Sequence, residues 1–90
     1  MTDFFKYVEF ETATEIEQLA RLAYELRENR SAILRLHGVE DEAALLERIK
    51  IGEVAEHPAY EHYLAARVLF DTRETARAAL AERLKEASRK

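Results

Sequence analysis

Between Glu53 and Tyr63 the chain reads Glu-Val-Ala-Glu-His-Pro-Ala-Tyr-Glu-His-Tyr, which sets two histidines, three carboxylates and two tyrosines around a single proline. Imidazoles and carboxylates are the ligands that zinc and non-haem iron take. On a continuous helix, Glu53, His57 and Glu61 would follow one another at four-residue steps along one face. Pro58 opposes that continuity, because its ring clashes with the carbonyl of Val54 and removes a backbone hydrogen bond. Residues 53 to 57 are therefore expected as loop, with Pro58 as the first residue of a helix, where its missing N–H leaves nothing unsatisfied. His57 and Glu61 then remain as a candidate metal pair that two copies of the chain could pool into four ligands. The competing reading makes the carboxylates Glu53, Glu56 and Glu61 partners of the positive helix terminus, and places His62 on a polar surface.

Other chemistries find less to work with. None of His37, His57 and His62 has a glutamate three residues before it, so the Glu-x-x-His pair of di-iron carboxylate bundles is missing. With no cysteine, and with Ser31 and Ser88 as the serines, no activated nucleophile is recognisable. Gly38 and Gly52 stand apart and form no phosphate-binding loop. A net charge of −4 argues against a general nucleic-acid binder, whose affinity comes from Lys and Arg on phosphates. No apolar run approaches the roughly 20 residues that a membrane-spanning helix requires. The opening residues lack the pattern of a secretory signal, so a cytoplasmic setting is expected, with no cofactor.

Two glycines and one proline divide the 90 residues into elements, and all of them are helical. Thr12 and Thr14 each precede a glutamate by three residues, the capping-box pattern, so the first helix is expected over about 12–37. Ile16, Leu19, Ala23, Leu26 and Ile33 repeat along it at helical spacing, with Arg30 inside the stripe. Gly38 ends it. A short helix over about 41–51 follows, with Asp41 as N-cap and Gly52 as terminator. The third runs over about 58–87. The chain thus reads as one all-α domain, residues 1–90, in a long-short-long helical hairpin.

Tyr63 to Phe70 in the third helix is apolar on nearly every side, whereas a helix with one neighbour shows one stripe. This pattern predicts a homodimer in which two hairpins form a four-helix bundle. Ahead of the first helix, residues 1–11 form an arm in which Phe4, Phe5, Tyr7 and Phe10 make up half of the aromatic residues. Its alternation reads as an extended strand, with a helical turn as the alternative. Phe4, Phe5, Tyr7, Phe10, Tyr63 and Phe70 are the candidate partner-binding residues.

Leu26-Arg27-Glu28-Asn29-Arg30-Ser31-Ala32-Ile33-Leu34 and Glu42-Ala43-Ala44-Leu45-Leu46-Glu47-Arg48-Ile49 are similar to the first and second helices of the all-helical chorismate mutases. The resemblance implies a dimeric helical enzyme in which Arg27 and Arg30 bind a dicarboxylate. The chain departs from that family where Gly38 shortens the first helix, and where no glutamine stands near the end of the third. The leading expectation is a non-enzymatic protein acting by protein-protein contact, as an adaptor, accessory or regulatory subunit. A metal-binding bundle built on His57 and Glu61 is the alternative.

Overall fold

The computed structural model describes the backbone of residues 2–88 and the side chains of residues 9–88. Three helices follow in order: α1 (Thr2–Leu36), α2 (Glu42–Lys50) and α3 (Glu56–Ser88). The described residues contain no strand. α1 and α3 lie antiparallel as a hairpin measuring 65 × 17 × 16 Å, and α2 packs on α3.

α1 begins at Thr2, not at Thr12 or Thr14, and both threonines are interior to the helix. The segment expected as an extended arm is its first turns. Phe4, Tyr7 and Val8 are spaced three and four apart as well as alternating, so either period fits them. No glycine or proline separates them from the stripe that follows. Lengthening an existing helix adds one hydrogen bond per residue fixed, while a lone strand has no edge to pair with. The side chains of Phe4, Phe5 and Tyr7 lie outside the described residues.

Both short connections are built by glycine. At the end of α1, Val39 N donates to Leu34 O and Gly38 N to Arg35 O, with Gly38 at φ +62. At the end of α2 the pattern recurs, as Glu53 N donates to Arg48 O and Gly52 N to Ile49 O, with Gly52 at φ +81. This paired closure satisfies helix-end carbonyls and needs a left-handed residue. Asp41 caps α2, its carboxylate accepting from Ala44 N at 2.8 Å. Arg48 links the two turns: its guanidinium donates to His37 O at 2.6 Å and lies 3.6 Å from Glu53. α3 opens with Glu56, but His57 has φ −104 and ψ 125, so the regular helix starts at Pro58. The residue before a proline is pushed out of the helical region.

The seam between α1 and α3 keeps a three-and-four spacing on both sides. Thr12, Ile16, Leu19, Ala23, Leu26, Arg30 and Ile33 are buried or half-buried on α1, as is His37 just after it, and Ala59, His62, Ala66, Leu69, Arg73, Ala76, Leu80 and Arg83 on α3. Register is marked by Arg83 against Glu15 at 3.2 Å, and by His37 against His62 at 2.9 Å. That register puts Ala23 level with Ala76, both buried. Alanines at facing positions let two helices approach closely. The fully enclosed apolar residues are few: Leu45 is 0% exposed and Leu34 3%, beside four alanines.

Leu45 carries the attachment of α2, since a nine-residue helix has little stability of its own. Leu45→Ala is expected to lower the free energy of unfolding in urea by about 2–5 kcal/mol. Ile51→Ala, at a position 61% exposed, should change it by less than about 0.5 kcal/mol.

Candidate functional site

α3 presents three different surfaces. One faces α1 along the seam. A second, carrying Tyr63, Arg67 and Phe70, faces α2, and an open groove of about 330 Å³ runs there between these residues and Glu42, Ala43, Leu46 and Asp71. The third carries Tyr60, Leu64 and Val68 at four-residue steps, exposed by 42%, 43% and 62%. Further along, Thr72 and Thr75 donate their hydroxyls to Val68 O and Asp71 O. Helical rotation at 100° per residue places Val68 on the side of the hairpin opposite α2. On α1 the same rotation brings Leu22, Leu26, Ile33 and Leu36 to that side.

The structure thus separates the candidate aromatic residues. Tyr63 and Phe70 sit in the groove beside α2, with Tyr60 stacked on Tyr63 at a centroid distance of 5.8 Å. Phe10 is apart from them on α1 and is 70% exposed. Phe70 also receives the guanidinium of Arg30, 5.1 Å from its ring centroid.

Arg30 is the polar residue within the α1 stripe, and its place is explained by Glu42. Two parallel hydrogen bonds join them, Nε to Oε2 at 2.5 Å and a terminal nitrogen to Oε1 at 2.6 Å. Both side chains are largely shielded, 20% and 15% exposed. The guanidinium holds the Glu42 carboxyl below the usual carboxylate range, and the same bond raises the Arg30 value further. A bidentate pair in this setting fixes geometry as well as contributing energy. It joins α1 to the start of α2. Arg27 turns outward, against Glu28 at 3.3 Å and near the Tyr24 ring. Arg27, Arg30 and Arg35 line an open groove of about 550 Å³, but Glu28 and Glu40 line it too, and Glu42 already occupies Arg30.

The histidines divide between two surfaces. His57 and Glu61 do come together, Nδ1 to Oε1 at 2.6 Å, on an exposed part of α3. Among the described residues no group of three or more His, Cys, Asp or Glu side chains converges on a metal position. His62 does not lie on a polar surface, as the sequence suggested; it is half-buried in the seam, with Nδ1 2.9 Å from Nε2 of His37. The reason is register. His62 stands three residues after Ala59 and four before Ala66, both buried, so it takes an inward position. That spacing from two alanines is the sequence signal for its inward position. Burial, then the nearby His62 and Arg48, lower the pKa of His37.

The chain belongs to the family described as Uncharacterized protein MJ0235 family, whose profile matches residues 11–88. The match begins just after Phe10 and takes in the seam, α2 and α3. No curated protein and no solved structure matches the chain. No helix among the described residues is long and apolar enough to cross a membrane.

Two measurements probe these polar links. Glu42→Ala should destabilise the hairpin by about 1–3 kcal/mol, and a double-mutant cycle with Arg30→Ala should return a coupling above about 1 kcal/mol. His37 prefers its neutral form in the folded state, so its contribution is complete above its ordinary pKa and declines as pH falls below that value. The urea midpoint is expected to drop between about pH 7 and pH 5, with a smaller drop in His37→Gln.

Proposed function

We propose that this member of the MJ0235 family is a non-enzymatic contact protein whose hairpin pairs with a second copy to form a four-helix bundle. The observation that carries this reading is the third surface of α3. Two sides of that helix are packed within the chain, yet Leu64 and Val68 remain exposed on another. On α1, rotation puts Leu22 and Leu36 on the same side of the hairpin as Val68, and they are exposed by 42% and 73%. Facing copies would cover these residues from both helices and leave α2 on the outside of the bundle.

Surface area supports the same reading. The chain exposes 6782 Å², against about 5,400 Å² for a compact folded monomer of its mass. The excess, about 1,400 Å², exceeds the roughly 800 Å² per partner that a standard interface buries.

The assembled bundle then serves as an adaptor, accessory or regulatory subunit in a cytoplasmic setting. Phe10 on α1 offers an aromatic contact to a different protein, as does the Tyr63 and Phe70 groove, and Phe4, Phe5 and Tyr7 are counted with them from the sequence alone. Light scattering on the purified chain should return twice the 10.5 kDa chain mass at micromolar concentration. Leu22→Glu combined with Val68→Glu should halve that mass while leaving far-UV helicity intact, because both positions are already exposed within one hairpin. A wild-type monomer would overturn the reading, and a double variant that stayed dimeric would move the interface elsewhere.

A further inference from the structure

Where α1 ends, we propose that His37 and His62 form a two-imidazole clamp for one divalent transition metal of the zinc class. The site is distinct from the exposed His57 and Glu61 pair. His57 precedes the first regular turn of α3 and pairs with Glu61 on the exposed side, whereas His62 is half-buried in the seam.

Nε2 of His37 and Nδ1 of His62 face each other at 2.9 Å, and the ring centroids are 5.1 Å apart. In the metal-free pair, one ring donates its N–H to the lone pair of the other. Zinc sits about 2.0–2.1 Å from imidazole nitrogen, so two such ligands stand about 2.9 Å apart at a right angle and about 3.3 Å apart at the tetrahedral angle. The observed separation is at the lower edge of that range. Admitting a cation between the two nitrogens requires an opening of about 0.4 Å for the tetrahedral case, with each ring turning by about 35° so that both lone pairs leave the N···N line and meet at one point. It also requires the donating ring to move its proton to its other nitrogen, after which both rings remain neutral and both present a lone pair.

The surroundings set the class of ligand. Two neutral imidazoles select zinc, copper or nickel over magnesium or calcium, which prefer oxygen. Both histidines are half-buried, so their rotamers are confined by the seam, and solvent can fill the remaining coordination positions. His37 directly follows α1, whose carbonyl terminus favours a cation. Arg48 counts against a second positive charge, since its guanidinium reaches His37 O at 2.6 Å, but Glu53 lies 3.6 Å from that guanidinium and offsets it. A bound ion would tie the end of α1 to the first turns of α3, and so would stabilise the hairpin at its closed end.

The test uses the full untagged chain titrated with zinc chloride, and with magnesium chloride as the contrast. Calorimetry should report one zinc per chain. Tm should rise by at least about 5 °C once free zinc exceeds the dissociation constant tenfold. Magnesium should do neither. His37→Gln and His62→Gln should each remove both effects, while His57→Gln keeps them. Should either glutamine variant fail to fold, the wild-type chain still decides the matter, because substoichiometric nickel should broaden the ring resonances of His37 and His62 and spare those of His57. Absence of zinc heat, a zinc effect that survives His62→Gln, or broadening centred on His57 would overturn the proposal. Each of these readouts is independent of whether the chain is a dimer.

Discussion

The antiparallel contact between α1 and α3 is the constraint on which the remaining structure rests. Its alanines, Ala23, Ala59, Ala66 and Ala76, are buried on both sides, and small residues at facing positions bring two helices close without a thick layer of side chains. The result is a long hairpin with little enclosed volume. Such a seam has directional consequences, because residues that continue its alternating three-and-four spacing from a buried alanine are drawn inward as well. His62 and Arg73 are drawn in with the rest, and Arg30 on α1 and His37 just after it occupy the corresponding places.

Polar residues in a thin seam need partners, and the way each finds one organises the closed end of the molecule. Arg30 reaches Glu42 at the start of α2, and its guanidinium also covers Phe70. His37 and His62 satisfy one another. Arg48 leaves α2 to bond the carbonyl that follows α1. These three links tie α1 and its end to both α2 and α3 within a short stretch of the hairpin, and Leu45 provides the apolar attachment beneath them. The far half has no α2 above it and relies on the seam, with Arg83 against Glu15 as an exposed cross-link of modest worth.

A thin seam also explains why so much apolar surface stays outward. In a globular domain a third layer would cover Leu64, Val68 and Leu22. Here the chain supplies nine residues of α2 as the only additional layer among the described residues, and α2 lies on the opposite side. The family match spans this same arrangement of seam, short helix and outer stripe.

Sequence alone determined the helical class, the three-element order and the terminators, because Gly38, Gly52, Pro58 and Asp41 act through local backbone geometry that needs no tertiary partner. It also identified the α1 stripe and the oddity of Arg30. It misplaced the start of α1, since the spacing of Phe4, Tyr7 and Val8 satisfies two periods and only continuity with the following helix decides between them. Tertiary structure alone decided which polar residues meet. Glu42 was one of many glutamates at unremarkable spacing until the hairpin brought it to Arg30, twelve residues away. His37 and His62 are 25 residues apart and share no local motif. Their meeting depends on the register of two antiparallel helices, and a register is fixed by packing across the seam rather than by either helix alone.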